Sequence, residues 1–542
     1  MGEKFWDKVI DRPRWWQGGL ILLAAGLAVF ILFGPFSPML VVVALVALLV
    51  IAGVLLSALQ SRFVVELCFL LFVALMPATR FSVFESAFSL QANYVAMLGT
   101  ALLLVWRAGV LRLQLPVPRS RVHGAVLILF IVIALSFFLS GQVPAGVYRG
   151  EVRWVRSAKQ IANLALMLVA YLTVLLTVQD RRMFRRAIWV FIGSSFVVSL
   201  YGIYQFIAYP LGLPFVDLFP QSASFGQSSV WAIPLAGGYF LRVWSVASEP
   251  VWFANYLLGV IPLALALVMS GIGPAGRGRF WLLATLATMV LALLLTFTRS
   301  AYLVLPIGVL VILASRRRWL VRGLRLAGVG LLLMIIVSLL ITQIPALSQA
   351  SLVRAVTERF LSPFQEEYFG NIHRYTAAAT SLEMFKARPW GVGYGNYGFF
   401  FYDYRPAWGR SMTDALPDTF PVMTGGILFR LLTETSLPGV LAFGWLILAV
   451  VVEGIHAWRR NRGDPFMAGV SLGLLASFIS LILHVLTADS IHFAYQWFVI
   501  AMLVVARRLG AVTPREEGSI YPIASSAHRP SQRVVPSNSE GK

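Results

Sequence analysis

The sequence is poor in charged residues and nearly lacks cysteine. Only 12% of its 542 residues are Asp, Glu, Lys or Arg, against about 25% in ordinary globular domains. This shortage excludes a soluble globular protein. The single cysteine, Cys68, excludes a disulfide framework and a metal site built from several cysteines. No spacing among the histidines and acidic residues resembles zinc ligation, so we expect no metal and no other cofactor.

Long apolar runs fill most of the chain instead. Hydrophobic residues make up 59% of it, and a run of about 18 or more is long enough to cross the hydrocarbon core of a membrane. We therefore predict an all-α polytopic membrane protein with about 14 transmembrane helices, within a range of 12 to 14. The predicted spans are residues 18–35, 38–58, 63–79, 93–110, 122–140, 160–178, 187–208, 251–270, 280–298, 300–315, 325–342, 423–455, 466–487 and 491–506.

The formal net charge of +21 comes largely from short arginine clusters between apolar runs, such as Arg181 to Arg186 and Arg459 to Arg462. Such clusters determine topology by staying in the cytoplasm, and they attract anionic lipids. We therefore expect membrane lipids as partners and no nucleic acid. The predicted organisation is a cytoplasmic N-terminus (1–17), spans 1 to 11 (18–342), a large, partly helical extracytoplasmic loop (343–422), spans 12 to 14 (423–508) and a disordered cytoplasmic tail (509–542).

A row of polar residues stands at the outer face, where arginine is not expected. Arg149, Arg153, Arg156, Gln160 and Asn163 are spaced so that one face of a helix would carry them all. Such a row suits an anionic ligand such as a pyrophosphate, and the alternative is snorkelling of the arginines to lipid headgroups. Because the row continues into the membrane as Gln and Asn, we favour the ligand and predict that Arg153 and Arg156 bind pyrophosphate.

Three further charged residues lie outside the cytoplasmic clusters. Arg299 stands between two apolar runs with almost no loop, and an arginine at that membrane depth is functional by default. Arg242 and Glu249 come just before the eighth span. Glu249 precedes Pro250, which suits the first turn of a helix, so a helix cap is the alternative to a functional role for this carboxylate.

The predicted outer loop supplies a second group of candidates. His373, Arg374 and Arg388 precede a glycine-rich turn that contains Tyr394. The turn has the look of a dinucleotide motif, but no strand–helix unit surrounds it. Its glycines instead let the backbone turn tightly beside aromatic residues that can stack on sugar rings. A lone histidine such as His373 is more often structural than catalytic.

Polar residues also stand near the last three spans. Arg430 and Glu434 have the i, i+4 spacing of a helical ion pair, which is the alternative to a glycan-binding role for Glu434. Asp489 and His492 lie in the short outer turn between the last two spans. We expect these two residues to face the same cavity as the loop.

Four segments within residues 120 to 505 resemble the O-antigen ligase and polymerase (Wzy-type) superfamily of bacterial surface-glycan assembly. They are Arg242 to Leu257, Thr296 to Tyr302, Arg388 to Asn396 and Leu428 to Gly439. The resemblance implies a metal-independent glycosyltransferase of the inner membrane. Its substrates would be an undecaprenyl-pyrophosphate-linked oligosaccharide donor and an acceptor glycan, with a chain-length regulator as a further partner.

The mechanism that this implies assigns roles to the candidates. Cations stabilise the departing pyrophosphate, and we assign this role to Arg153, Arg156, Arg242 and Arg299. A general base assists the acceptor hydroxyl, with Glu249 as the first candidate and His373 as the second. A separate set is assigned to the glycan and the loop. This set comprises Arg374, Arg388, Tyr394 and Glu434.

Other functions remain open at this point. Ligases carry a His-Asn pair where this chain has Gly425 and Gly426, which favours polymerisation of O-antigen, capsular or exopolysaccharide repeat units over ligation to lipid A-core. A lipid-linked oligosaccharide flippase is the alternative from the transporter class. A peptidoglycan glycosyltransferase of the shape-and-division family is a third candidate, and the residues around Glu249 and the glycine-rich turn argue against it.

Overall fold

The structure, a computed structural model, describes most of the central part of the chain. The described residues are 62–79, 91–110, 119–142, 146–148, 150–213, 232–235, 238–271, 277–315, 369–410, 424–489 and 491–510. The predicted spans 18–35, 38–58 and 325–342 lie outside them, as does Arg149.

Over the described residues the chain forms thirteen α-helices and two short antiparallel hairpins. The helices are α1 Arg62–Leu75, α2 Ala92–Val110, α3 Arg121–Leu135, α4 Arg153–Thr177, α5 Arg181–Ala208, α6 Pro250–Met269, α7 Arg277–Leu295, α8 Arg299–Ala314, α9 Phe369–Ala387, α10 Tyr397–Tyr404, α11 Ile427–Arg460, α12 Pro465–Val485 and α13 Ala494–Leu509. The strands are β1 Val147–Tyr148, paired with β2 Glu151–Val152, and β3 Ala232–Leu235, paired with β4 Gly238–Leu241. A 3₁₀ turn, Ser136–Gln142, extends α3.

Seven of these helices are long and apolar enough to cross a membrane: α3 with its 3₁₀ extension, α4, α5, α6, α7, α11 and α12. Three shorter apolar helices, α1, α2 and α8, accompany them. Each predicted span that falls inside the described residues overlaps a helix. The helical, multi-pass class is therefore confirmed, whereas the total of 14 spans stays a prediction. The two hairpins were not predicted.

Several helices begin earlier than the hydrophobic runs alone indicate. Helix α5 starts at Arg181 rather than at residue 187, because the Asp180 side chain caps it by accepting a hydrogen bond from Met183 N at 2.7 Å. Helix α4 starts at Arg153 rather than at residue 160. Apolar runs mark only the part of a helix inside the hydrocarbon core, so polar first turns escape them.

The helix ends that carry the arginine clusters meet at one end of the bundle. Arg181 at the start of α5 contacts Asp464, which caps α12, at 3.2 Å and the carbonyl of Leu509 at the end of α13 at 3.3 Å. Arg508 donates a hydrogen bond to Gln179 between α4 and α5 at 2.8 Å. We call this the arginine-rich end, and we call the opposite end, against which residues 369–410 pack, the loop end.

Helices α6 and α12 form the centre of the bundle. Within an apolar 18-residue stretch of each helix, 83% of the residues are buried in α6 and 72% in α12. Small residues let the two backbones approach closely, since a Cβ at Gly473 would stand 2.7 Å from the Cα of Leu263. Because α6 is enclosed on all sides, the residue at its start, Glu249, occupies a fixed position at the loop end.

Candidate functional site

The start of α6 and the turn between α7 and α8 are joined by hydrogen bonds. Arg242 Nε donates to the carbonyl of Thr296 at 3.1 Å, and Val243 N donates to the carbonyl of Leu295 at 3.0 Å. Thr298 Oγ1 reaches the carbonyl of Pro250 at 3.5 Å. The structure thus brings together two segments about fifty residues apart in sequence. These segments carry three predicted site residues: Arg242, Glu249 and Arg299.

Two residues beside this junction have strained backbones. Ser245 has a φ of 53° and Phe297 has a φ of 49°. Both values lie in the left-handed region, which residues other than glycine rarely adopt. The Ser245 backbone is held by Gln205, which accepts a hydrogen bond from Ser245 N at 2.8 Å and donates one to its carbonyl at 3.1 Å. Strain of this kind persists where surrounding contacts enforce it, and it is concentrated at functional sites.

Glu249 occupies the N-cap position of α6, but its side chain makes no capping hydrogen bond. The helix-cap alternative therefore explains why Glu249 stands at the start of α6, but it gives its carboxylate no role. Burial raises the pKa of this carboxyl group to about 7, Arg242 acts in the opposite direction, and Asp489 raises it further. A carboxyl group with such a pKa exchanges a proton readily near neutral pH, as a general base must.

Arg299 is the first residue of α8 and is half-buried. The N-terminal end of a helix carries a partial positive charge, so a cation there costs helix stability rather than adding to it. Arg153, the first residue of α4, has the same placement, and its guanidinium lies 5.7 Å from the centre of the Trp154 ring. These two arginines are therefore not placed to stabilise their helices.

Helix α11 breaks one-quarter of the way along its length. Ser436 has non-helical backbone angles (φ 62°, ψ −162°), and Pro438 has no N–H group to donate to the carbonyl four residues before it. The carbonyls of Thr433 and Glu434 therefore lose their helical donors. A break at this point leaves two polar groups that must find partners elsewhere.

The glycine-rich turn of the loop supplies those partners. Val392 N donates to the carbonyl of Thr433 at 3.0 Å, and Gly393 N donates to that of Glu434 at 2.9 Å. Gly391 permits this approach, because its φ is +91° and a Cβ there would stand 2.8 Å from the Glu434 carbonyl oxygen. The predicted tight turn is present, and it fixes the loop to the broken membrane helix.

Arg430 is the centre of the polar contacts beneath this turn. Its Nε donates to Glu434 Oε2 at 3.0 Å, and its two terminal amino groups donate to Gln160 Oε1 at 3.1 Å and to the carbonyl of Asp489 at 2.9 Å. Its guanidinium also lies 4.6 Å from the centre of the Tyr394 ring. The ion pair expected from the i, i+4 spacing is present, and it belongs to a network that joins four segments of the chain.

Removing Glu434 is expected to destabilise the fold. Its carboxylate is 1% exposed and also accepts a hydrogen bond from Tyr397 N at 3.1 Å. In Glu434→Ala the buried Arg430 charge loses its carboxylate, which we expect to lower the free energy of unfolding by roughly 3–5 kcal/mol. Denaturant unfolding in detergent measures this. Glu383→Ala is the matched control, because Glu383 pairs with Lys386 on an exposed surface, and a drop as large in this control would contradict the explanation.

The predicted polar row on α4 faces the protein in part. Arg156 Nε donates to the carbonyl of Gly395 at 2.8 Å, its NH1 group contacts Glu151 at 3.3 Å, and its guanidinium lies 4.7 Å from the centre of the Tyr148 ring. Arg156 therefore supports the glycine-rich turn, as Gln160 supports Arg430. Pyrophosphate binding by Arg153 and Arg156 stays a prediction.

Tyr394 is fully buried beneath the turn. Its hydroxyl lies 3.1 Å from His492 Nε2, and its carbonyl accepts a hydrogen bond from Ser157 Oγ at 2.6 Å. Burial, with the charge of Arg430, lowers the pKa of His492 to about 3, so this imidazole is neutral. Trp390, in contrast, is 79% exposed, and is therefore the aromatic residue of the turn that is open to a ligand.

The remaining loop candidates lie on and after α9. His373 is 6% exposed, and burial, with the neighbouring charge of Arg374, lowers its pKa. Its imidazole is therefore neutral at physiological pH, which is the form a base needs. Arg388 lies 4.5 Å from the centre of the Phe400 ring and donates from Nε to Tyr404 at 3.3 Å, so it packs within the loop.

Sequence reasoning missed Thr424 and the contacts that connect these parts. Thr424, which precedes α11, donates from Oγ1 to Asp489 Oδ2 at 3.1 Å, and Asp489 in turn acts on Glu249. No periodicity relates residues from three different segments, so only the fold reveals their contact. Within the described ranges, no group of three or more His, Cys, Asp or Glu side chains can hold a metal ion.

Comparison with known proteins supports the resemblance in part of the chain. Residues 284–416 match a family model described as O-antigen ligase. The matched segment contains Arg299, the α7–α8 turn and the glycine-rich turn, all of which lie at the loop end. The search of curated proteins finds no match. The chain is thus a multi-pass membrane protein whose residues 284–416 are similar to the O-antigen ligase family.

Proposed function

We propose that this protein is an inner-membrane glycosyltransferase that polymerises surface-glycan repeat units on the extracytoplasmic side. It transfers a glycan from undecaprenyl pyrophosphate to a sugar hydroxyl of an acceptor glycan. In this proposal both termini are cytoplasmic, and the loop end faces outward because the arginine-rich end stays inside.

One observation carries the proposal. Glu249, whose carboxyl group has a pKa near 7, lies beside Arg242. Arg242 and the residue after it are hydrogen-bonded to the turn that leads into Arg299. Glycan transfer from a pyrophosphate requires one group that accepts a proton and another that stabilises the leaving anion. Both kinds of group occur together at the loop end, and one of them lies in the segment that matches the O-antigen ligase family.

The chemistry is a single displacement at the anomeric carbon. The acceptor hydroxyl oxygen forms a bond to that carbon as the bond from the carbon to the pyrophosphate oxygen breaks, and the pyrophosphate leaves with the electron pair. Glu249 accepts the proton of the hydroxyl. Arg299 and Arg242 stabilise the charge that develops on the pyrophosphate. Trp390 and the other exposed aromatic residues of the loop stack on the growing glycan.

The turn before α11 favours polymerisation over ligation. In ligases a His-Asn pair stands where this chain has Gly425 and Gly426. Gly426 has a φ of +143°, and a Cβ there would stand 2.0 Å from the carbonyl oxygen of Leu486. No side chain fits at Gly426, the position of the asparagine in that pair. At Gly425, the position of the histidine base, φ is +85° and a Cβ would stand 3.1 Å from Ala378 N, so this turn disfavours the histidine as well.

A flippase remains the second candidate function, and charge in the arginine-rich half of the bundle bears on it. Glu453 is 3% exposed in that half, and its carboxylate contacts Arg507 NH1 at 2.6 Å. This pair links α11 to α13, as a structural ion pair does. The loop end, in contrast, combines a carboxyl group that titrates near neutral pH with several arginines, which suits transfer chemistry better.

An assay with purified protein and lipid-linked repeat units separates the two functions. In vesicles without any ion gradient, we expect the units to be joined into polymer, visible as a ladder of glycan sizes on a gel. Vesicles without protein are the control. Movement of the units across the bilayer without any ladder would reject the glycosyltransferase and support the flippase.

A further inference from the structure

A second buried polar cluster lies deeper in the membrane than Glu249. Asn255 of α6 follows Glu249 by six residues, about 9 Å further along the helix axis. Its Oδ1 accepts hydrogen bonds from the Tyr495 hydroxyl at 2.8 Å and from Gln496 Nε2 at 3.0 Å. Its Nδ2 lies 3.0 Å from Nδ1 of His484, near the end of α12. Asn255 and His484 are both 0% exposed.

These contacts determine where the proton of His484 lies. Asn255 Oδ1 faces the Tyr495 hydroxyl and Gln496 Nε2, so the NH₂ group of the same amide faces His484. Asn255 Nδ2 therefore donates to His484 Nδ1, which must be the accepting nitrogen. The neutral imidazole then carries its proton on Nε2.

The Nε2–H group has no acceptor among the described residues. A buried donor without an acceptor destabilises the fold, so such groups usually serve a ligand or a water molecule. The positive charge of Arg374 on α9 acts on the His484 ring. The turn at Gly425 and Gly426 packs against Ala378 of α9 on one side and Leu486 on the other, which places the end of α12 beside the loop.

We propose that His484 is a neutral hydrogen-bond donor that binds, through Nε2–H, a diphosphate oxygen of the lipid-linked donor, with Arg374 supplying positive charge beside it. This inference rests on the proposed function, because it assigns a further binding residue to the same substrate. A phosphate oxygen can accept the hydrogen bond, and it also suits the nearby cation. His484 is a binding residue in this proposal, and no proton transfer is assigned to it.

Nuclear magnetic resonance of ¹⁵N-histidine-labelled full-length protein in nanodiscs tests the proposal directly. The chain has six histidines, so the His484 signals are assigned by their loss in His484→Gln. We expect a neutral ring with its proton on Nε2, and a change in the Nε2–H signal when inorganic pyrophosphate is added. A proton on Nδ1, or an Nε2–H signal that pyrophosphate leaves unchanged, overturns the proposal.

Calorimetric binding of inorganic pyrophosphate to purified variants provides the second measurement. His484→Met removes the donor and should weaken binding about tenfold or more, whereas the amide of His484→Gln should retain part of the affinity. His456→Met, an exposed histidine in the half near the arginine-rich end, should have no effect. Equal losses in the Met and Gln variants would indicate packing and overturn the proposal. If His484→Met fails to fold, the resonance of the wild-type protein decides.

These measurements do not depend on glycan transfer. A protein that binds pyrophosphate through His484 but forms no polymer in the vesicle assay would reject the proposed function and retain this inference. Polymer formation by a protein whose His484 resonance is unaffected by pyrophosphate would retain the proposed function and reject this inference.

Discussion

Arg299→Ala is expected to abolish lengthening of the glycan chain while the protein remains in the membrane at wild-type amounts. The guanidinium stands at the first turn of α8, where it does not stabilise the helix. In the proposed mechanism, its loss removes positive charge from the point where the pyrophosphate departs. Removing one group that stabilises a developing charge typically costs about 10²–10³-fold in rate. The chain-length distribution of the surface glycan on a gel, with immunoblotting of the membrane fraction, measures both properties.

Two further variants sharpen this prediction. Arg279→Ala changes an exposed arginine on α7 at the arginine-rich end, and we expect wild-type chain lengths from it. Arg299→Lys keeps the charge but loses the planar donor geometry that suits phosphate oxygens, so it should retain only part of the activity. A wild-type chain-length distribution in Arg299→Ala would remove Arg299 from the mechanism and weaken the polymerase assignment.

Glu249→Gln is expected to lower the transfer rate by about 10²–10⁴-fold, the usual contribution of a general base. In the proposed mechanism the base is the ionised carboxylate of Glu249, whose pKa is raised to about 7. The rate should therefore rise with pH up to about 7 and level off above it. In Glu249→Gln this rising limb should be absent, because the amide does not titrate. The measurement is the initial rate of polymer formation from pH 5 to 9.

The same carboxyl group makes a prediction about stability. Its pKa is raised from 4.5 to about 7 in the folded protein, so the folded state holds the proton over a range where the unfolded state has lost it. The stability this contributes is fully present below pH 4.5 and is lost as the pH rises through 7. In thermal unfolding, the stability of the wild type relative to Glu249→Gln should therefore fall as the pH rises from 4.5 through 7. A rising limb of activity that survives in Glu249→Gln would transfer the role of base to another group, with His373 the next to test.

The parts of the fold that sequence predicts are those governed by local rules. Apolar runs located each described membrane helix, because the hydrocarbon core imposes both length and composition. The Arg430–Glu434 pair followed from helical spacing alone. Arg299 was identified because burying a charge in a membrane is costly, so an arginine between two apolar runs needs a functional reason.

The parts that sequence does not predict depend on contacts between distant segments. The break in α11 can be expected from Pro438, but nothing in the sequence says that Val392 and Gly393 donate to the carbonyls it frees. Arg156 was assigned to a ligand because its row of polar residues was visible, whereas its hydrogen bond to the Gly395 carbonyl involves a backbone atom that no side-chain pattern reveals. His484 lies within an apolar run, where its pairing with Asn255 of another helix leaves no signal.

The hydrogen bonding of the glycine-rich turn to the broken helix α11 has a consequence for protein engineering. The backbone hydrogen bonds from Val392 and Gly393 to α11 make the loop and the first turns of that helix one structural unit, although most of the loop lies outside the membrane in the proposed topology. Loop exchange between related enzymes is a natural route to new glycan specificity. A graft that ends at the membrane boundary would separate donors from acceptors, so the exchanged segment has to extend through Pro438.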